Sequence, residues 1–468
     1  MNYRMTFYMM GIIAVVEAIL LSIPFFIAIG LLENTILSFG ITIAILLSIG
    51  IPLIIFKPKD VSITPKEGFI IVALAWITMS LFGSLPFFLS GNIPNYIDAV
   101  FETVSGFTTT GATIINNVEI LPKSILFWRS FTQWIGGMGV LVFILAILPK
   151  ADPKFFHIFR AEATGPQVGK LVSKLKFTAQ ILYAIYIALT ILQIIMLSFK
   201  MPFFESVLHS FTTASTGGFS NKNLSIAAFN SVYIDTVITI FMILFSINFN
   251  IFFLILLGKF KDVLRSEELK VFISIVAISM VVVSISLYAG KIYATFGESF
   301  RYSSFQVASL MSTTGFTTAD YTKWPMLAQF ILFFLMIIGG SAGSTAGGLK
   351  VSRLIILVKS GFREIKSAVS PRSINTIRLD NKPIDYIIAH STMRYFILYL
   401  TILCTSVLLV SISNPAMRGS DSLMINFSAV LTSLGNTGPF FGDIGAAGNF
   451  SNFSYFSKII FALNMLIG

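Results

Sequence analysis

Apolar stretches run from end to end of the chain, with polar residues gathered in short segments between them. A helix needs about 20 apolar residues to cross a bilayer. Such runs lie near 8–30, 37–56, 68–89, 125–148, 177–199, 231–257, 269–289, 325–361, 391–412 and 453–468. Four of the intervening segments are basic. Residues 57–66 carry Lys57, Lys59 and Lys66, and 149–176 carry Lys150, Lys154, Arg160, Lys170, Lys174 and Lys176. Residues 258–270 carry Lys259, Lys261, Arg265 and Lys270, and 350–394 carry nine bases from Lys350 to Arg394. Together with Arg4 these hold 23 of the 32 Lys and Arg residues. Lys and Arg accumulate on the cytoplasmic side of membrane proteins. The N-terminus and these four connections are therefore expected in the cytoplasm.

The alternate connections share a different plan. Each opens with an apolar stretch of about a dozen residues, at 96–107, 202–213, 298–310 and 420–433. These are too short to span and read as re-entrant half-helices. Each is followed by a Thr/Ser/Gly string. The strings are Phe107–Thr113, Ala214–Ser220, Met311–Thr317 and Leu434–Phe440, and Gly111, Gly218, Gly315 and Gly438 align across them. A period of about a hundred residues marks an internal repeat, which decides the fold if it is seen. The expected architecture is an all-α membrane protein: two N-terminal transmembrane helices plus four helix–pore-helix–helix repeats in pseudo-fourfold arrangement around one pore. The expected units are 1–66 for the N-terminal pair, 67–150 for repeat one, and 151–260 for repeat two with a cytoplasmic linker. Repeat three follows at 261–365 and repeat four at 366–468, whose last helix reads as cut off.

Non-helical backbone at membrane depth is tolerated only where it is buried in protein or lines water. Four strings meet that condition together by converging on one axis. There a dehydrated cation recovers oxygen ligands from backbone carbonyls. Aiming successive carbonyls inward often requires positive φ, which glycine adopts at little cost. The C-termini of the half-helices add partial negative charge toward the same point. The nominated filter residues are Thr109, Thr110 and Gly111; Thr216, Gly217 and Gly218; Thr313, Thr314 and Gly315; and Asn436, Thr437 and Gly438. Whether Gly217 or Gly218 serves in the second string stays open. A lone Thr-Thr-Gly string is ordinarily a turn or a cap; four aligned copies after four short helices argue for a filter.

The run 325–361 is too long for one straight span. It is interrupted by Gly339, Gly340, Gly343, Gly347 and Gly348 within ten residues, followed by Lys350. Glycine disfavours helix by roughly 1 kcal/mol relative to alanine, so a mid-membrane loop is expected at 339–348, just below the third string. One reading makes it a gate across the ion path; the other makes it close helix packing through small residues. Lys350 and Arg353 either repel cations when the loop is in place or reach to the cytoplasmic interface as anchors.

Composition narrows the function class. The 468 residues are 55% hydrophobic and 11% charged, with a mean hydropathy of +0.86; soluble domains carry roughly 25% charged residues. A water-soluble enzyme is excluded. One cysteine, and three separated histidines at 157, 209 and 390, offer no metal-ligand spacing. No paired metal motif or nucleophile–base constellation suggests catalysis, and no nucleotide motif or organic cofactor is expected. The net charge of +11 is spread over the connections without aromatic interleaving, which argues against nucleic acid. Asp98, Glu102, Glu119 and Glu298 fall near the outer mouth, as a solvated rim or as a cation-concentrating vestibule. Glu205 suits the N-terminus of the second half-helix as a cap.

The string Ser105-Gly106-Phe107-Thr108-Thr109-Thr110-Gly111-Ala112-Thr113, the string Ser215–Ser220 and the glycine stretch 339–348 running into Lys350 resemble the TrkH/TrkG/KtrB superfamily of bacterial potassium uptake proteins. The two extra N-terminal spans match its TrkH branch, and the likeness covers essentially the whole chain. The resemblance implies K⁺ as the permeant ion, one filter glycine per repeat, and an intramembrane gate loop at 339–348. It also implies a homodimer in the bacterial cytoplasmic (inner) membrane, in contact with lipid and a cytoplasmic TrkA-type nucleotide-binding regulatory subunit. The alternative is a secondary potassium symporter coupled to Na⁺ or H⁺ with alternating access. Such proteins favour inverted repeats and midplane ionisable residues, whereas the four repeats here share one orientation.

Overall fold

The structure is a computed structural model describing residues 2–56, 58, 64–139, 175–370, 376–380, 382–414, 422–441 and 448–468. Lys57, Lys59, Lys150, Lys154, His157, Arg160, Lys170, Lys174 and Arg372 lie outside the described residues, as does most of the expected linker of repeat two.

The chain opens with α1 (Tyr3–Gly30) and α2 (Ile36–Ile55). The Asn2 side chain caps α1 by accepting the Met5 N–H. The two helices cross where Gly11 meets Gly50: a Cβ on either would stand 3.0 Å from the other's carbonyl oxygen. Small residues permit that approach.

Four helix–half-helix–helix repeats follow. The first comprises α3 (Pro65–Gly83), a short α4 (Leu85–Leu89), half-helix α5 (Tyr96–Phe107) and α6 (Lys123–Gly137). Thr64 and Glu67 form a capping box around Pro65 at the start of α3. The second has α7 (Leu175–Ser198), half-helix α8 (Phe203–Ala214), α9 (Val232–Phe245) and α10 (Phe249–Leu256). A short α11 (Phe260–Arg265) leads to the third: α12 (Glu267–Ala289), half-helix α13 (Phe296–Met311), α14 (Met326–Ile338) and α15 (Val351–Val369). A minimal hairpin, β1 (Arg378–Leu379) with β2 (Lys382–Pro383), follows α15. The fourth repeat is α16 (Tyr386–Ser413), half-helix α17 (Ser422–Gly435) and α18 (Tyr455–Ile467).

Among the described residues six helices are long and apolar enough to cross a membrane, or seven if the bent pair α9–α10 counts as one span. That pair corrects the single span expected at 231–257, because the two helices meet at 89°. Asn248 caps α10 by accepting the Asn250 N–H, so the polar Ser246–Asn248 segment ends one helix and starts the next.

The repeats close into a ring through one recurring contact. The second helix of each repeat packs on the half-helix of the next: α6 on α8, α9 on α13, α14 on α17, and α18 back on α5. Two of these seams carry ion pairs. Arg301 on α13 meets Asp235 on α9 at 2.7 Å, and Lys458 on α18 meets Asp98 on α5 at 2.8 Å. α1 packs on α2, α3 and α6, so the N-terminal pair stands beside the first repeat, outside the ring.

Candidate functional site

Each half-helix ends by folding its string back on itself. The N–H groups of Thr110, Gly217, Thr314 and Thr437 donate to the carbonyls of Ser105, Thr212, Ser309 and Thr432 at 2.9, 2.8, 2.9 and 3.0 Å. Every one of these bonds spans five residues. The residue before each donor is left-handed, with φ of +54° at Thr109, +55° at Thr216, +56° at Thr313 and +52° at Asn436. The residue after it is a glycine with φ of +80°, +76°, +80° and +95° at Gly111, Gly218, Gly315 and Gly438. Four segments sharing no long identity thus adopt one backbone path. In that path Gly218, not Gly217, takes the place of the aligned glycines.

The strings meet one another in cyclic order. A Cβ on Gly111 would collide with the carbonyl oxygen of Gly217, one on Gly218 with that of Thr314, one on Gly315 with that of Thr437, and one on Gly438 with that of Thr110. All four separations are under 3.0 Å, which real Cβ atoms do not show. Glycine is required here twice over, by φ and by the neighbouring backbone. Gly111, Gly218 and Gly315 keep some exposure, while the residue before each is buried.

Polar side chains tie adjacent strings. Gln133 on α6 donates Nε2–H to the Gly217 carbonyl at 2.8 Å and accepts the Phe219 N–H at 3.1 Å. Arg129, one turn earlier, donates to Glu102 and to the Ser220 carbonyl, and its guanidinium lies 3.5 Å from the centre of the Phe219 ring. In the segment after string two, the Ser225 hydroxyl accepts the Thr317 N–H at 3.2 Å and the Ala227 N–H donates to the Thr317 carbonyl, tying that segment to string three. Asn436 Nδ2 donates to the Thr108 carbonyl and the Thr110 hydroxyl, both at 3.0 Å, joining string four to string one.

The glycine stretch after α14 forms a loop, and that loop makes the remaining tie. Gly347 N–H donates to Thr313 Oγ1 at 2.6 Å, and Gly348 N–H to the Gly435 carbonyl at 3.0 Å. The loop therefore bridges strings three and four instead of lying below the third alone. Positive φ at Gly339, Gly343 and Gly348 bends it back on itself. A Cβ on Gly340 would press on Ala346, and one on Gly347 would stand 2.5 Å from the Gly435 carbonyl. Its far side rests on the α9–α10 bend, where the Ser341 N–H donates to the Ser246 carbonyl at 3.0 Å and the Phe249 N–H to the Gly343 carbonyl at 3.0 Å. Lys350 neither reaches the interface nor stands free: it is buried, and its ammonium donates to the Ala346 carbonyl inside the loop. Arg353 lies over the Tyr395 ring at 3.9 Å.

The outer acids divide. Glu119 and Glu298 are exposed as a rim requires. Glu102 is not on a rim at all: it is buried, paired with Arg129 at 2.6 Å, and accepts the Thr113 hydroxyl and the Ile114 N–H. Asp98 is drawn into its pair with Lys458. Glu205 makes no capping bond to its helix and reaches Lys222 and Asn221 instead. Charge near a string's mouth signalled these residues, but the partner arginine was hidden inside an apolar run. The i, i+4 pair Arg129 and Gln133 on α6 was the available clue.

Comparison with known proteins settles the kinship. The profile of the TrkH family, described as cation transport protein, matches residues 36–468. The chain belongs to the TrkH family. It is 36% identical over 408 residues to the Trk system potassium uptake protein TrkH of Salmonella typhimurium, covering 86% of this chain and 83% of that protein. It is 34% identical over 474 residues to the protein of that name in Escherichia coli K12, covering 100% and 96%. The crystal structure of the potassium transporter TrkH from Vibrio parahaemolyticus superposes with a TM-score of 0.87 at 30% identity, over 100% of this chain and 96% of that one. The TrkH-family chain is thus a multi-pass membrane protein of a transport family, a non-enzymatic class.

Proposed function

We propose that this chain takes up K⁺ across the bacterial cytoplasmic membrane through a pore whose filter is the ring of four strings. The observation that carries the reading is cyclic closure: each glycine sits against the carbonyl before the next glycine, and the fourth against the first. Homologues named as potassium uptake proteins support K⁺ as the ion. Entering from outside, the ion exchanges water for oxygens of residues 109–111, 216–218, 313–315 and 436–438. It then meets the loop 339–350, which acts as the gate. The working units are 1–66, 67–150, 151–260, 261–365 and 366–468, with the N-terminus cytoplasmic. The chain works as a homodimer with a cytoplasmic TrkA-type nucleotide-binding subunit, in line with the resemblance of its motifs.

Ion flux into liposomes holding this chain tests the proposal. K⁺ and Rb⁺ are expected to enter down their own gradients and Na⁺ far more slowly. Uptake that requires a Na⁺ or H⁺ gradient would replace the pore with the symporter.

A further inference from the structure

Glu268 is the second residue of α12 and faces the glycine loop. Its Oε1 accepts the Ala342 N–H at 2.7 Å and the Ser352 N–H at 3.2 Å. Ala342 lies in the first half of the loop, and Ser352 lies beyond it in the first turn of α15. One carboxylate oxygen thus grips both legs. The residue is buried, and a carboxylate there is costly unless it is fully hydrogen-bonded. In the sequence it lies within the basic segment 258–270. The preceding residue faces the other way: Glu267 pairs with Lys359 on α15 at 2.5 Å, and its N–H donates to Asp380 beside the hairpin.

The loop accordingly has two attachments. On the ring side, Thr313 and Gly435 hold Gly347 and Gly348. On the opposite side, Glu268 holds the loop's legs together, and the Ser246 carbonyl and Phe249 N–H hold the loop to the bend. The legs must separate, or the bend must yield, before the middle of the loop leaves the strings.

We propose that Glu268 is a positioning residue for ion flow, a clamp that keeps the loop 339–350 seated across the path. The proposal rests on the gate reading above. Hydrogen bonds to a charged group are the stronger kind, so loss of this grip should shift the loop's seating by about tenfold or more.

The test uses the full chain in liposomes with Rb⁺ influx as one readout. The second readout is labelling of Ser344→Cys, in a Cys404→Ser background, by a membrane-impermeant thiol reagent. Glu268→Ala is expected to raise both about tenfold. Glu268→Gln keeps an acceptor oxygen in place without the charge and is expected to fall between the parent and the alanine variant in both. If the alanine variant does not fold, Glu268→Asp, which withdraws the oxygen by one methylene, carries the same expectation of increased flux and labelling. Parent-like flux and labelling in the alanine or aspartate variant would overturn the clamp, and so would a glutamine variant as leaky as alanine. Deletion of residues 343–345 separates the two claims: a deletion that leaves Rb⁺ influx unchanged sinks the gate itself, whereas raised influx beside an inert Glu268→Ala sinks only the clamp.

Discussion

Arg129 Nε donates to Glu102 Oε1 at 2.6 Å, and the two side chains grip different strings. Glu102 accepts from Thr113 and Ile114 at the end of string one, while Arg129 donates to the Ser220 carbonyl at the end of string two. A guanidinium can serve both partners through its fixed fork of donors, which an ammonium lacks. Glu102→Gln leaves a buried cation uncompensated, at a cost of about 3–5 kcal/mol. Its thermal unfolding in detergent is expected well below that of the parent. Arg129→Lys is expected to stay folded but lose the Ser220 contact and relax K⁺ over Na⁺ discrimination. Unchanged selectivity in the lysine variant would separate the pair from the filter.

Gly217 and Gly218 are neighbours with opposite tolerances. A Cβ on Gly218 meets the Thr314 backbone at φ +76°, where neither partner can give way. The three atoms nearest a Cβ on Gly217 all belong to the Gln133 side chain, and Gly217 is not among the positive-φ residues. Gly218→Ala is expected to abolish growth of a K⁺-uptake-deficient strain at low K⁺. Gly217→Ala is expected to retain growth, at some cost in stability from displacing Gln133. The reverse order would assign the wrong glycine to the pore.

The ring seam between repeats four and one permits a double-mutant cycle. Lys458 is buried and Asp98 partly so, and their 2.8 Å contact joins α18 to α5. Asp98→Asn strands the ammonium and is expected to lower the unfolding temperature sharply. Adding Lys458→Met removes the stranded charge and should recover much of the loss, because well-packed apolar residues can replace a buried pair. Additive losses measured by thermal unfolding would show that the two residues do not interact.

Much of this arrangement was legible in the amino-acid order, for local reasons. Half-helix length and the glycines at 111, 218, 315 and 438 are properties of short segments, and all four half-helices fall within two residues of the expected bounds. What escaped depended on partners far away in the chain. The bend at Ser246–Asn248 hid inside an apolar run because hydropathy does not register that the Ser246 carbonyl serves the distant Ser341 N–H. Glu102 looked like a rim acid until Arg129 supplied its counterion, and nothing local marked Glu268, whose partners Ala342 and Ser352 lie 74 and 84 residues away. The choice between Gly217 and Gly218 needed φ, which residue identity alone does not supply.

The contact between the loop and the strings yields the sharpest single substitution. Thr313 Oγ1 accepts the Gly347 N–H at 2.6 Å, while the conformation of string three is held separately by the Thr314 N–H on the Ser309 carbonyl. Thr313→Val keeps the shape of the side chain and removes the acceptor. The stranded N–H then costs the seated loop about 1–3 kcal/mol, and about 1.4 kcal/mol corresponds to a tenfold change in an equilibrium. Rb⁺ influx in liposomes is expected to rise by about tenfold with K⁺ over Na⁺ preference retained. Gly347→Ala should act in the same direction from the other side of the contact, since its Cβ presses on the Gly435 carbonyl at 2.5 Å. Loss of selectivity in Thr313→Val would mean that the hydroxyl shapes the filter, and unchanged influx in both variants would mean that this contact does not restrain flow.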